Sequence, residues 1–556
     1  MSKLNFTFQF NGLLALSGIF FLITASGCQK ENQEYNPQPV LTVTMAGYDL
    51  KHDLYYQIPY TVRSVELLFS EALDTGTVAA NLSLSDQEGS CDGNITVLAS
   101  GHHAILLFHP DFALHDGWQY WITIRKGLHT LSGTSFSSDV TLQLRTFQKH
   151  PDLTGDSRGD SVTRESILVI SDVHMGDARS IVNKYGWFGE NGPALVSLLD
   201  GVLGGDEVRQ VVILGDLLDE WIVPFSMPPF DSATGITNSM DYFQSVANNP
   251  VNLPVIEKLR AIAASGEIEL IFVPGNHDML INKEIIQGII PGITWKSDTI
   301  GLGRYFPVPE IVMEHGHRYD FFNCPQPLIN QGHILPPGYF ISRLYAQGNM
   351  EHPGMLKSTR GTQGSFEFDA AWDIAIAYTL FRFGMWPPDF WANNIRMSGI
   401  NDYTQLFSFH GAKEMYNPLI ESEWPMTQTA NNVLVPINEC IIAIWNGHSD
   451  LFSAAQTEYM KSPAPVTCKI VAFGHTHEPM IEVYPTGSQY TSIYANTGSW
   501  VDGAQSTHDV RTYLLITPGA WSGSTLDVVS LFQFNPTTQG GFKPKLLGEE
   551  SIESDR

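Results

Sequence analysis

Five short apolar runs along the chain are each followed within a few residues by side chains that bind metal ions. The runs, of which Ile167–Ile170 and Ile470–Phe473 are examples, are rich in β-branched residues, as is typical of strands buried on both faces. The polar segments that follow them are Asp172-Val173-His174, Gly215-Asp216-Leu217-Leu218-Asp219, Gly275-Asn276-His277-Asp278, His315-Gly316-His317 and Gly474-His475-Thr476-His477. Loops beyond the carboxyl ends of such strands hold functional side chains on a rigid sheet. The pattern therefore predicts an α/β fold in which the five segments converge.

The polar side chains in these segments suit a pair of catalytic cations. Aspartate, asparagine and histidine offer oxygen and imidazole ligands for Mn, Fe, Zn or Mg, and the absence of cysteine excludes a structural zinc site built on thiolates. One carboxylate can bridge two cations about 3.5–4 Å apart, and Asp216 is the natural bridge. Such a pair lowers the pKa of water from about 16 to about 7, which makes hydroxide available as a nucleophile. The sequence therefore predicts a hydrolytic metalloenzyme.

From Glu165 to Val510 these segments, in this order, resemble the calcineurin-like metallophosphoesterase family. The resemblance implies a two-sheet α/β/β/α sandwich and hydrolysis of a phosphomonoester, phosphodiester or diphosphate by dinuclear metal-hydroxide attack. It also implies two divalent metal ions, for which Mn, Fe and Zn are the expected identities. One ion would be bound by Asp172, His174, Asp216 and His477, and the other by Asp216, Asn276, His315 and His475.

The same resemblance gives roles to residues beside the ligands. His277 is expected to stabilise the transition state or to protonate the leaving oxygen, and Asp278 is expected to orient it. Asp219 is expected to support the nearby ligands without binding an ion. In the fourth segment both His315 and His317 are available, and only the family pattern favours His315.

Two segments, Asp172–Asp177 and Gly215–Trp221, resemble more narrowly the branch that contains UDP-2,3-diacylglucosamine diphosphatases. That branch acts in the cytoplasm, and its fourth segment usually ends in Asp where this chain has His317. Two alternatives to a general phosphoesterase therefore stay open. One is a hydrolase of a nucleotide-sugar or lipid-linked diphosphate, and the other is a non-catalytic surface binding protein.

The front of the chain has the features of an export signal. Residues 4–29 carry no charge, Leu13–Ala25 is almost entirely apolar, and small residues precede Cys28. The apolar run is too short to span a membrane comfortably. We therefore predict a lipoprotein-type signal peptide over residues 1–27, a lipid anchor on Cys28, a tether over 28–40 and a location in the cell envelope. An ordinary signal peptide with an incidental Cys28 is the alternative.

The rest of the chain divides by pattern. Residues 41–147 show short alternating strands and resemble an all-β bacterial Ig-like sandwich, and 148–165 form a polar linker. Residues 166–530 are predicted to form the metallophosphoesterase domain, with a helical insertion around 325–465, and 531–556 a polar tail. Within the insertion, the aromatic-rich segment Phe368–Ile395 is either a cap over the metal site or a helical buttress against the sheet. Disulfides could form among four cysteines, and the sequence does not fix their pairing: Cys91, Cys324, Cys440 and Cys468.

The formal net charge of −27 argues against a nucleic-acid-binding surface and against bulk attraction to anionic lipid. The expected partners are a phosphate-ester substrate, the membrane through the lipid on Cys28 alone, and a surface protein that binds the Ig-like domain.

Overall fold

The computed structural model describes most of the chain between residues 41 and 554. The described residues are 41–44, 56–58, 65–69, 71–91, 93–100, 103–110, 114–148, 164–224, 226–227, 230–297, 302–324, 336–351, 395–400, 403–407, 442–443, 449–461, 464, 467–486, 490–503, 506 and 508–554. The predicted signal peptide, Cys28, the tether, most of the linker and residues 368–394 lie outside them.

The described residues between 41 and 148 form strands in two sheets. The elements are β1 (Leu41–Thr44), β2 (Tyr56–Ile58), β3 (Val65–Phe69), α1 (Thr75–Asn81), β4 (Leu82–Asp86), β5 (Gly89–Cys91), β6 (Gly93–Ser100), β7 (His103–Pro110), β8 (Gln119–Ile124) and β9 (Val140–Thr146). The sheet orders are β1-β3-β7-β6 and β2-β9-β8-β4-β5. Alternate residues, such as Leu67 and Phe69 or Ile122 and Ile124, are buried in a common core. The Ig-like assignment of this region stays a prediction.

The larger part of the chain begins at residue 164. Its elements are β10 (Ser166–Ile170), α2 (Ala178–Val182), α3 (Gly192–Gly204), β11 (Val208–Leu214), α4 (Ser239–Ala247), α5 (Leu253–Ala264), β12 (Glu269–Val273), α6 (Lys283–Ile289), β13 (Thr294–Trp295), β14 (Arg304–Val308), β15 (Ile311–Glu314), α7 (Pro337–Glu351), β16 (Ile395–Ile400), β17 (Tyr403–Phe407), α8 (Leu451–Ala455), β18 (Ile470–Phe473), β19 (Met480–Thr486), β20 (Tyr490–Asn496), β21 (Thr512–Thr517), α9 (Gly519–Ser522), β22 (Leu526–Pro536) and β23 (Phe542–Glu553). One sheet has the order β13-β12-β11-β10-β21-β22-β23, and the other has the order β14-β15-β18-β20-β19. Strands β10 to β13 are parallel, as are β15, β18 and β20.

The two sheets stack on each other, and helices cover their outer faces. Ile167 and Val169 of β10 lie in the apolar layer between the sheets, whereas Leu168 and Ile170 pack with α3 and α5 on the other side. In the second sheet, β15 and β18 likewise contribute to the middle layer and to an outer cluster with α8. A strand with apolar layers on both faces must be apolar at every position, which explains the runs seen in the sequence. The predicted α/β class, with stacked sheets between helical layers, is confirmed.

The C-terminal end differs from the prediction. The expected polar tail over 531–556 is wrong, because β22 and β23 pair along their lengths as the last strands of the first sheet. Strand β23 is rich in charged residues, of which Lys543, Lys545 and Glu553 are exposed, so its composition resembles that of a polar tail. Strand β21 pairs antiparallel with β10 and so belongs to the first sheet.

The predicted helical insertion around 325–465 is described only in part. It contains α7, α8 and a π-helical turn over Gln456–Met460, but also the antiparallel hairpin β16-β17. Cys91, Cys324 and Cys468 are buried, and no disulfide joins any two of these three described cysteines, while Cys440 lies outside the described residues. Within the described part of the chain, no helix is both long and apolar enough to cross a bilayer.

Candidate metal centre

The five polar segments meet where β10, β11, β12, β15 and β18 end. Backbone hydrogen bonds join the first two loops, because the N–H groups of Val173 and His174 both donate to the carbonyl of Asp216 at 2.9 Å. A side chain joins the two sheets, since His315 Nδ1 lies 2.7 Å from the carbonyl oxygen of Leu214. The sheet architecture therefore brings the predicted ligands into one buried cluster.

The turns that carry the ligands are strained. Positive φ angles between 53° and 72° occur at Asp172, His174, Asp216, His475 and His477. Residues with a Cβ seldom adopt this conformation, which costs about 1–3 kcal/mol per residue and persists only where the surroundings enforce it. Such strain is typical of functional sites, where a side chain must point in one direction even if its backbone conformation is unfavourable.

One group of donor atoms comes from Asp172, His174 and His477. His477 Nε2 lies 3.2 Å from Asp172 Oδ1 and 3.0 Å from His174 Nε2. His174 Nδ1 lies 2.8 Å from Asp219 Oδ2. Because an ionised carboxylate only accepts, Nδ1 carries the proton, and Nε2 of the neutral ring presents a lone pair to the group.

A second group comes from Asp216, His315 and His475, with Asn276 beside it. His315 Nε2 lies 3.2 Å from Asp216 Oδ2 and 3.1 Å from Asn276 Oδ1. Since His315 Nδ1 bonds to a backbone carbonyl, Nε2 is the donor atom that faces the group. His317 is also buried, but it belongs to neither group, so the geometry favours His315 over His317.

Asp216 lies between the two groups. Its Oδ1 accepts the backbone N–H of His277 at 2.9 Å, while Oδ2 lies 3.2 Å from His315 Nε2 and 3.7 Å from His174 Nε2. Gly275 makes room for it, because a Cβ at that position would lie 2.6 Å from the Asp216 nitrogen and would also clash with Oδ1. This geometry fits the predicted bridging role of Asp216.

The role expected for Asp278 is corrected by the hydrogen bonds. His277 Nδ1 lies 2.9 Å from Asp219 Oδ2, the same oxygen that contacts His174 Nδ1. Asp278 instead accepts the backbone N–H groups of Gly275 at 2.7 Å and Leu217 at 3.0 Å. Asp278 therefore shapes the loop that carries Asn276 and His277, and Asp219 orients the imidazole of His277.

The donor set fits divalent cations. Asp172 Oδ1 is buried without a hydrogen-bond partner among the described residues. Even so, the Nε2 atoms of His477, His174 and His315 lie 3.2, 3.8 and 4.0 Å from it. The other oxygen, Oδ2, accepts the backbone N–H of His475 at 3.0 Å. Lone pairs of imidazole and carboxylate thus surround the same space, and a cation is the partner that satisfies them together.

The electrostatics of the cluster also favour positive charge. Burial opposes protonation of His174, but hydrogen bonds to Asp172 and Asp219 outweigh it and raise its pKa to about 10. Burial likewise opposes protonation of His315, yet the charges of Asp216 and Asp172 raise its pKa to about 9. Burial also opposes ionisation of Asp216, but the neighbouring His315 and His277 hold its pKa far below the usual range. The Asp216 carboxylate therefore stays ionised and attracts cations.

Some residues of the site lie outside what the sequence segments predicted. The ring of Trp221 is buried 4.8 Å from that of His277 and 5.4 Å from that of Tyr339 in α7, so Trp221 connects α7 to His277. Asp320 Oδ2 lies 2.9 Å from His475 Nε2, although the two residues are 155 positions apart in the chain. No local pattern in the sequence reveals a contact of that kind.

Comparisons with known proteins identify a family but offer no structural guide. The model of the calcineurin-like phosphoesterase family matches residues 165–479. Among curated proteins no match is found. Vps29 of Chaetomium thermophilum is 10% identical, covers 71% of this chain and 100% of its own, and has a TM-score of 0.22.

Two further solved structures match shorter parts of the chain. The N-terminal part of the bacterial S-layer protein SbsC is 18% identical over 18% of this chain and 25% of that chain, with a TM-score of 0.14. Native alpha-2-macroglobulin from Escherichia coli is 19% identical over 25% of this chain and 36% of that one, with a TM-score of 0.15. This chain thus spans about a third or less of the length of those two structures, and none of the three TM-scores supports an argument about function.

Proposed function

The chain belongs to the calcineurin-like phosphoesterase family, and from that premise we propose that it is a hydrolase that cleaves a phosphomonoester, phosphodiester or diphosphate with two divalent cations. The observation that carries the proposal is the pair of donor groups, buried except for the partly exposed His475 and His477, that meet at Asp216. Asp172, His174 and His477 would hold one ion, and Asn276, His315 and His475 the other. Asp216 would contact both.

The chemistry divides between the cations and the protein. When bound, the cations would lower the pKa of a water molecule and neutralise charge on the phosphoryl oxygens. His277 is 7% exposed, whereas Asp172 and Asp216 are at most 1% exposed, so His277 lies nearer to the surface of the cluster. Because Asp219 accepts from its Nδ1, a His277 ring protonated on both nitrogens has its second N–H on Nε2, which can donate to a phosphoryl or leaving oxygen.

The substrate and the location are also part of the proposal. The predicted signal over residues 1–27 and the lipid anchor on Cys28 support an enzyme of the cell envelope, and the predicted Ig-like region would contact a surface partner. Nucleotide-sugar or lipid-linked diphosphates are the alternative substrate class, supported by the segments Asp172–Asp177 and Gly215–Trp221. A non-catalytic binding protein is the remaining alternative, and the intact donor set counts against it.

The reaction can be tested on the full-length chain. The protein is stripped of metal, then assayed with and without Mn²⁺ or Zn²⁺ on an aryl phosphomonoester, a bis-aryl phosphodiester and a nucleotide-sugar diphosphate. We expect hydrolysis only with added metal and a loss of at least about a hundredfold in His277→Ala, the scale of a lost proton donor. Metal-independent turnover, or equal turnover in His277→Ala, would contradict the mechanism.

The location is tested separately. Cells that express the chain are labelled with a radioactive fatty acid, and Cys28→Ala is the matched control. We expect label in the wild-type chain and none in the variant. Equal labelling of both, or of neither, would contradict the lipid anchor while leaving the reaction untouched.

A further inference from the structure

Asp320 is a buried carboxylate next to one half of the metal centre. It follows the one-turn helical segment His317–Tyr319 and is 6% exposed. Its Oδ2 lies 2.9 Å from His475 Nε2. Its Oδ1 accepts the hydroxyl of Ser449 at 2.7 Å and the backbone N–H of Phe322 at 3.1 Å. Because donors occupy both oxygens, the carboxylate is held in one orientation.

This contact determines which nitrogen of His475 can bind an ion. An ionised carboxylate has no proton to give, so Nε2 of His475 must be the donor. In the neutral ring the lone pair then lies on Nδ1, and Nδ1 is the atom left to join Asp216 and His315 in their group. Asp320 therefore fixes both the tautomer and the direction of the ring.

Asn323 extends the same effect to a second ligand. Its Nδ2 donates to Asp320 Oδ2, and its Oδ1 lies 3.4 Å from Asn276 Nδ2, which donates to it. Asn276 thereby turns its own carbonyl oxygen toward His315 Nε2, 3.1 Å away. Two ligands of one ion, His475 and Asn276, are thus oriented from residues 320–323.

The other half of the centre is supported by different residues. Asp219 accepts from His174 Nδ1, and Ser171 donates to Asp172 Oδ2. Neither contact involves Asp320. A change at Asp320 should therefore affect one ion and spare the other.

We propose that Asp320 is a positioning residue that selectively sets the affinity of the ion bound by Asp216, Asn276, His315 and His475. The inference rests on the two-ion centre of the proposed function. Ser449, which donates to Asp320, lies in the later part of the insertion around 325–465, and Asp320 precedes the insertion in sequence. The later part of the insertion therefore contacts the residue that supports this ion.

The test is equilibrium dialysis of Mn²⁺ into the metal-free full-length chain and into Asp320→Asn. The amide can still accept from Ser449, but it presents a donor to His475 Nε2 and so favours the tautomer without a lone pair on Nδ1. We expect one ion to bind about 10–100-fold more weakly and the other to bind as in the wild type. The matched control is Asp527→Asn, whose carboxylate is also buried and accepts the backbone N–H of Gly519 at 2.7 Å, and it should bind both ions normally.

The outcomes distinguish the role of Asp320 from the proposed hydrolytic function. Wild-type affinity for both ions in Asp320→Asn, or equal weakening of both, would overturn the inference. If this variant does not fold, Ser449→Ala removes only the outer hydrogen bond, and it should weaken the same ion about threefold. No selective weakening in Ser449→Ala would then overturn the inference as well. A wild-type chain that binds two ions but hydrolyses no phosphate ester would refute the proposed function and leave the role of Asp320 standing.

Discussion

Replacing Asp219 with asparagine should reduce turnover strongly without removing a ligand. Asp219 Oδ2 accepts from His174 Nδ1 at 2.8 Å and from His277 Nδ1 at 2.9 Å, while Oδ1 accepts the backbone N–H of Ile222 at 2.8 Å. Asparagine has the same shape and can keep the bond to Ile222, but its amide then faces two imidazole N–H donors. Both imidazoles lose their acceptor, and the opposite tautomer is favoured in each.

The size of the effect follows from the two lost hydrogen bonds. A hydrogen bond to a charged group contributes about 1.5–3 kcal/mol, so the pair corresponds to about 3–6 kcal/mol at most. Since about 1.4 kcal/mol is a factor of ten in rate, kcat/KM in Asp219→Asn should fall by about 10²–10⁴ at limiting Mn²⁺, and by about 10–10² at saturating Mn²⁺, where only the bond to His277 counts.

A double-mutant cycle assigns the loss to its source. Asp219→Asn and His277→Ala are measured alone and together on an aryl phosphomonoester in saturating Mn²⁺. Because saturating metal restores occupancy at His174, Asp219→Asn should cost less than about tenfold once His277 is absent. A loss below tenfold in Asp219→Asn alone, or the full loss in the His277→Ala background, would refute the coupling of Asp219 to His277.

Three further changes test the centre. Asp216→Asn weakens the bridge, so turnover should fall at least about a hundredfold and dialysis should show weaker binding of both ions; unchanged binding would contradict the bridge. Gly275→Ala forces a Cβ against Asp216 and should lower the free energy of unfolding by about 1–3 kcal/mol in a denaturant titration. Gly503→Ala is the control, because no atom lies within 4 Å of its Cβ, and it should change the free energy of unfolding little. Equal losses in the two variants would contradict the close approach of Gly275 to Asp216. The metal-free chain should have a Tm about 5–10 °C below that of the chain with metal at about 100 times its Kd. An equal Tm in the two samples would argue against a buried metal centre.

The strand ends that carry ligands could be predicted because their surroundings leave a local signature. A strand between two apolar layers is apolar at every position, so Ile167–Ile170 and Ile470–Phe473 mark their own ends and the polar residues that follow. Strand β23 gave the opposite result. It is partly exposed and charged, and no local pattern in its sequence indicates that it pairs with β22.

The family pattern predicts that Asp219 supports nearby ligands, but its contact with His277 and the support from Asp320 could not be predicted, for a related physical reason. Asp278 directly follows His277 in the sequence, yet the imidazole donates to Asp219, 58 positions away. Asp320 and His475 meet only because strands β15 and β18 pair in parallel, which places the loops after both strands at one edge. The choice between His315 and His317 likewise depends on the position of Asn276, which the sequence alone does not give.

The most direct test is a crystal structure of the full-length chain soaked in Mn²⁺, with the ions located by anomalous scattering. We predict two ions about 3.5–4 Å apart, both in contact with Asp216. One should also contact Asp172, His174 and His477, and the other Asn276, His315 and His475. A single ion at saturating Mn²⁺, or two ions without a shared carboxylate, would contradict the dinuclear centre on which the proposed function depends.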